Sequence, residues 1–307
     1  MLDDFDALSA LDTSGFLSRL AALPGSYDGP DGLQPGPYGV LGFGEGAVLA
    51  GLLAPWADAN LVGQGTQFVL ASGFDFGEAA ALRLTAELAG ARPIVLGDAA
   101  FEPSYRVPAG TLSPYIHLSY LGRATGHVEA LEAAESRMAE LLPRLGPDVA
   151  TERNPAKTVA WTLWNRVPLL ITSRTRAPLQ PLIQQLLARV GKTLSITTGT
   201  HPAGVVTGAF EGRHQLGDDM VGLVLGPEDR EVALVREVLG TRVAQVESLA
   251  AYAGDPVAGL EDPVGEALVV WYLSAWVAGY LALLHDFDPG ESAVYRRVRD
   301  SAEEAAG

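Results

Sequence analysis

The 307-residue chain contains no cysteine. That absence removes disulfides, thiolate metal ligands and thiol nucleophiles together. A reducing compartment fits this usage, and the expected location is cytoplasmic. Basic residues are scarce as well, 21 Lys and Arg against 37 Asp and Glu, for a formal net charge of −16. Nucleic acid and anionic membrane surfaces both call for a basic face, so neither is expected as a partner. An anionic small molecule remains compatible where backbone amides and a few local cations outweigh the overall field. Only five histidines are present. His117, His127 and His285 stand apart from one another and from carboxylate pairs at ligand spacing, so no metal site is expected. The N-terminus, MLDDFDALSALD, has acids where a signal peptide has a basic flank, and secretion is not expected.

Long hydrophobic runs are almost missing. The exception, VGEALVVWYLSAWVAGYLALL at 264–284, is long enough to cross a membrane and carries a single charge, Glu266. Its flanks are acidic at Glu261, Asp262, Asp286 and Asp288, with no Lys or Arg to set an orientation. A buried core or interface helix is the reading that fits.

What the sequence does contain is alternation. Residues 1–34 read as an N-terminal helical segment, with Phe5, Leu8, Leu11, Phe16, Leu20 and Leu23 at roughly helical spacing, closed by the turn-rich PGSYDGPDGLQPGP. Then YGVLGFG, QFVLAS and RPIVLGD read as strands separated by Ala/Leu-rich helices. After a helix at 127–145 and a polar break, RVPLLITS, DMVGLVLG and TRVAQVES repeat the pattern. Short apolar runs alternating with helices predict βαβ units and parallel sheets, here in two tandem halves, 35–148 and 149–307.

In such sheets ligands sit beyond the carboxyl ends of the strands, where helix N-termini point outward. Two first-half turns qualify. LGFGEGAV runs a strand through Gly42, Gly44 and Gly46 into a helix, but lacks the spacing and the later acid of a dinucleotide fingerprint. ASGFDFGE ends a strand at Ser72 and Gly73 and opens a helix near Glu78. Glu45, Asp75 and Glu78 place carboxylates where an anion would lie, although an acid in a first helical turn commonly serves the cap and the dipole. In the second half, AFEGRHQLGDDMVG brings Arg213, His214, Asp218 and Asp219 into one loop. General acid/base chemistry needs such a grouping, and an Asp-rich turn beside a surface histidine gives the same pattern.

LGFGEG, FVLASGFDFGE, NPAKTVAWTLWNRVPLLI and YLSAWVAGYLALLHDFDPGESAVYRRVRD together resemble the bifunctional phosphoglucose/phosphomannose isomerase family, over roughly residues 35–300. The resemblance implies an α/β fold of two tandem SIS-type domains, each a mostly parallel sheet flanked by helices. It also implies a homodimer, no cofactor, and aldose–ketose isomerisation of hexose 6-phosphates through an enediol. By position it makes Gly44, Glu45, Gly46, Ser72, Gly73 and Glu78 substrate-binding candidates. It makes Asp219 (or Asp218), His214 and Arg299 catalytic candidates.

The chain departs from the family pattern in several places. Phe74, Asp75 and Phe76 replace hydroxyl donors of the phosphate loop, Glu45 replaces a serine, and GTLSPYIHLSYL offers Ser113 and Tyr115 where the family has an arginine. Gln215 follows His214, and Arg299 takes the place of a lysine. Two readings follow: an active sugar-phosphate isomerase, and a non-catalytic SIS-fold protein that binds a small ligand or only holds a dimer together.

Overall fold

The structure, a computed structural model, describes residues 2–72, 76–98, 103–108, 110–210, 219–249, 257, 259–290 and 292–306. The chain divides into two compact units, Met1–Gly25 with Ala133–Gly290 and Ser26–Glu132 with Glu291–Gly307.

The N-terminal segment forms two short helices, α1 (Phe5–Leu11) and α2 (Phe16–Ala21). Acids start both. Asp4 accepts from the Ala7 amide at 3.1 Å, and Asp12 accepts from the Phe16 and Leu17 amides at 2.7 and 2.9 Å. Each carboxylate satisfies donors that a first helical turn leaves open.

The first sheet is built from β1 (Tyr38–Gly44), β2 (Thr66–Ser72), β3 (Arg92–Gly97) and β4 (Tyr105–Arg106), all parallel and in that spatial order. Helix α3 (Glu45–Leu52) follows β1 and α4 (Phe76–Ala89) follows β2. Phe68, Val69, Leu70 and Ala71 are completely buried, which explains an unbroken apolar run: a strand covered on both faces has no solvent side to keep polar. On the outer edge of β1, Asp58 forms a one-residue parallel bridge, with Val40 N–H to Asp58 O at 2.8 Å. The chain therefore goes from β1 to one side of it and returns to the other side as β2. That reversal puts a topological switch point between the carboxyl ends of β1 and β2.

Helix α5 (Ser113–Thr125) comes next, then α6 (Val128–Leu141), and the division between the two units falls within α6. The unit that holds Ala133–Gly290 starts its α/β region with α7 (Pro155–Leu163). It continues through β5 (Val167–Ile171), α8 (Leu179–Arg189), β6 (Ile196–Thr197), α9 (Pro202–Ala209), β7 (Met220–Val224), α10 (Arg230–Leu239) and β8 (Gln245–Ser248). The order β6-β5-β7-β8, again parallel, repeats the first topology and puts a second switch point between β5 and β7.

The apolar run becomes α11 (Pro263–Leu284), the one helix among the described residues long and apolar enough to cross a membrane, and it lies buried within its unit. It packs on α2, α7 and α8. Gly279 permits the α2 contact, because a Cβ there would stand 2.8 Å from a Leu17 methyl carbon. Close by, the fully buried Lys157 donates to the carbonyls of Leu2, Pro147 and Val149 at 2.6, 2.8 and 2.8 Å. Burial lowers its pKa. The C-terminal helix α12 (Ala293–Ala306) belongs with the first sheet. Ser292 starts it, its hydroxyl oxygen accepting from the Tyr295 amide at 3.1 Å.

Candidate active site

The first switch point is assembled from backbone. Gly44, the last residue of β1, has φ +53° and ψ −121°, a conformation that a side chain strongly disfavours, and it turns the chain directly into α3. No side chain caps that helix. The first-turn amides of α3 thus have no intrahelical acceptor and carry the positive end of the helix dipole, the elements of an anion seat. In register across the sheet, Gly44 pairs with Ser72, so the two loop ends meet at the carboxyl edge.

Gly42 and Gly46 have a different reason to be glycine. A Cβ on Gly46 would lie 2.1 Å from the Leu70 carbonyl oxygen, and one on Gly42 would lie 2.1 Å from the Gly46 carbonyl oxygen. These two residues let α3 sit flush on β1 and β2. Of the three glycines in LGFGEG, only Gly44 is set by the turn itself.

Glu45 is half-buried and accepts a hydrogen bond from the Tyr295 hydroxyl of α12 at 2.6 Å. Glu78 is exposed in the first turn of α4, where its charge complements the dipole. Ser72 ends β2. Gly73, Phe74 and Asp75 lie outside the described residues, as do His214, Gln215 and Asp218. Arg299 lies on α12, four residues beyond Tyr295. Asp219 is exposed in the turn just ahead of β7, and its carbonyl accepts from the Val167 amide at 2.7 Å. It stands at the amino edge of the second sheet, the end opposite the second switch point.

Ser113 and Tyr115 are buried in the first turn of α5. His117, one turn on, is 1 % exposed, and its Nδ1–H donates to the Ser113 carbonyl at 2.9 Å. Burial pulls the imidazole pKa down to about 4, so the ring is neutral at physiological pH. No group of three or more metal-binding side chains occurs among the described residues.

The second switch point is occupied by side chains. The Arg176 guanidinium, after β5, meets both Glu266 carboxylate oxygens, the Nη2–Oε2 distance being 2.7 Å, and also donates to the Ser173 hydroxyl at 3.1 Å. Gly226, following β7 with φ +77°, closes over the pair: a Cβ there would be 3.3 Å from Arg176 Cδ and 3.4 Å from Glu266 Oε1. Beside it, Gln180 Nε2 donates to Thr172 Oγ1 at 2.7 Å and to the Gly199 carbonyl at 3.0 Å. Its Oε1 accepts from the Thr198 and Gly199 amides, each at 2.9 Å. The polar groups that cluster there are satisfied by one another.

Sequence reasoning did not single out Arg176, Gln180 or Tyr295. Glu266 carried a usable signal, because a lone carboxylate in a helix destined for burial requires a cationic partner.

Residues 16–126 match the phosphoglucose isomerase N-terminal domain, and residues 152–301 match the bacterial phospho-glucose isomerase C-terminal SIS domain. A glucose-6-phosphate isomerase like protein from Thermus thermophilus is 35% identical, with a TM-score of 0.82 over 97% of this chain and 98% of that one. Glucosamine-6-phosphate deaminase from Thermotoga maritima shares the fold at 11% identity and TM-score 0.55, over 92% of this chain and 96% of that one. A hypothetical protein, also from Thermus thermophilus, does so at 13% and 0.60, over 98% and 90%. No curated protein sequence matches the chain. With both halves matched and a relative at 35% identity along nearly the whole length, the chain belongs to the phosphoglucose isomerase family of two SIS domains.

Proposed function

We propose that the protein is a sugar-phosphate isomerase that interconverts glucose 6-phosphate or mannose 6-phosphate with fructose 6-phosphate. The observation that carries this reading is the Gly44 turn, which presents the uncapped first turn of α3 at the first switch point beside Ser72. On this reading the backbone supplies the phosphate seat where the sequence has lost hydroxyl donors. On the same reading the phosphate sits at the N-terminal end of α3, while the sugar opens and a proton moves between C1 and C2 through an enediol.

Proton transfer is assigned by family pattern to Asp219 or Asp218 as base, with His214 assisting ring opening. On the same pattern Arg299 supplies a positive charge for the developing oxyanion; a guanidinium stays protonated, so it stabilises charge and does not shuttle protons. A cytoplasmic homodimer acting without a cofactor belongs to the same proposal.

The test is a coupled assay of purified protein with mannose 6-phosphate and glucose 6-phosphate, following fructose 6-phosphate. Turnover that Asp219→Ala reduces supports the assignment; turnover unchanged by that variant removes Asp219 from it. Absence of turnover overturns the catalytic reading. The acids Glu45 and Glu78 at the same turn favour a second reading, a non-catalytic SIS-fold protein that binds a small ligand. Thermal shifts separate the cases: stabilisation by hexose 6-phosphates without turnover, and none by neutral hexoses, supports the ligand-binding protein.

A further inference from the structure

The Glu45–Tyr295 hydrogen bond joins two positions 250 residues apart in sequence. Glu45 is the first residue of α3, immediately after the Gly44 turn, and Tyr295 lies in the first turn of α12. Tyr295 is also tied to its own helix start, since its amide donates to the capping Ser292 hydroxyl at 3.1 Å. The phenol therefore leaves a fixed point at the base of α12 and ends on the residue that opens the candidate anion seat. A helix advances about 1.5 Å per residue and turns once in 3.6, so Arg299, four residues on, occupies the same helix face about 6 Å further along. Seating α12 at Tyr295 sets where the Arg299 position falls relative to the first switch point.

We propose that Tyr295 is a positioning residue for the reaction: its hydroxyl, held by Glu45, straps the C-terminal helix to the ligand turn and fixes the register of Arg299 there. The proposal rests on the isomerase reading above for its chemical consequence, but the strap itself does not. Glu45, at a position where the family pattern has a serine, becomes the acceptor that anchors a helix. Tyr295 and Arg299 act in series, the first through the second.

Two measurements on the intact 307-residue chain test this. Limited trypsin digestion reads the strap directly, since Arg296, Arg297 and Arg299 are cleavage sites within α12. Tyr295→Phe and Glu45→Ala are each expected to raise the rate of cleavage within α12 several-fold, without lowering the main melting transition. The double variant should cleave no faster than either single one. Unchanged cleavage in Tyr295→Phe overturns the proposal, whether or not the protein turns over sugar phosphates. Kinetics then read the positioning role. Tyr295→Phe should lower kcat at least about tenfold with little change in KM, because misplacing a catalytic group weakens the transition state more than substrate binding. In an Arg299→Gln background the same change should have no further effect. A full kcat loss persisting in that background overturns action through Arg299. Wild-type protein without turnover overturns the isomerase reading and leaves the strap to be decided by proteolysis alone.

Discussion

Arg176 and Glu266 form a two-point ion pair at the second switch point, with the Glu266 side chain 9% exposed and that of Arg176 29% exposed. Glu266 holds the Arg176 pKa above its ordinary value. Removing one partner leaves a charge without its counterion in a largely enclosed place. Glu266→Gln is expected to destabilise the protein by about 3 kcal/mol, and the double change Arg176→Met with Glu266→Leu to recover much of that loss. Urea unfolding midpoints of the three variants check the ordering.

Burial of neutral His117 makes stability depend on pH in a defined direction. Its folded pKa is about 4, against 6.5 for the free side chain. Above pH 6.5 neither state binds the proton. Below it the unfolded chain gains a proton that the folded protein refuses until about pH 4, so this contribution is lost as pH falls across that window and is constant beneath it. The loss is about 3 kcal/mol. His117→Asn keeps a donor near the Ser113 carbonyl and abolishes the titration. The difference in unfolding free energy between wild type and variant should shrink by that amount from pH 6.5 to 4.

Gly46 has a packing reason to be glycine, the closeness of α3 to the Leu70 carbonyl, and that reason needs no ligand. Gly46→Ala should push α3 from the sheet and cost about 2–3 kcal/mol of stability in the absence of any ligand. A melting temperature unchanged by the substitution would contradict that geometry.

Lys157 gathers three carbonyls around one buried ammonium, including that of Leu2 near the start of the chain. Lys157→Met keeps the aliphatic length but leaves those acceptors unmatched. A loss of about 3 kcal/mol is expected, set by the desolvation of unpaired carbonyls. Hydrogen exchange should show the earliest opening at α1 and at the amides of Asp148 and Val149.

The strands that were legible in sequence share one property. VPLLI, MVGLV and the FVLA of β2 are continuous apolar runs because they are covered on both faces, and local composition reports that directly. The two-residue strands β4 and β6 hold no run long enough to read. Helix α5 was hidden for another reason: its buried face includes His117, Ser119 and Thr125, so no apolar stripe marks it. Among the candidate residues, the positions of Gly44 and Ser72 at strand ends were legible from the strand-turn-helix pattern. Tyr295 was not, because its partner is contributed by a turn 250 residues away.

The sequence by itself determined two parallel α/β halves, the turns at their carboxyl edges and a buried apolar helix, since each of these follows from local periodicity and turn chemistry. The tertiary structure alone decided that the second switch point is filled by an ion pair and that the first carries a tyrosine contact. Whether Arg176 faces a ligand or Glu266, and whether Glu45 faces an anion or Tyr295, depends on side chains brought together from distant segments, where burial makes a partner obligatory and only folding selects it.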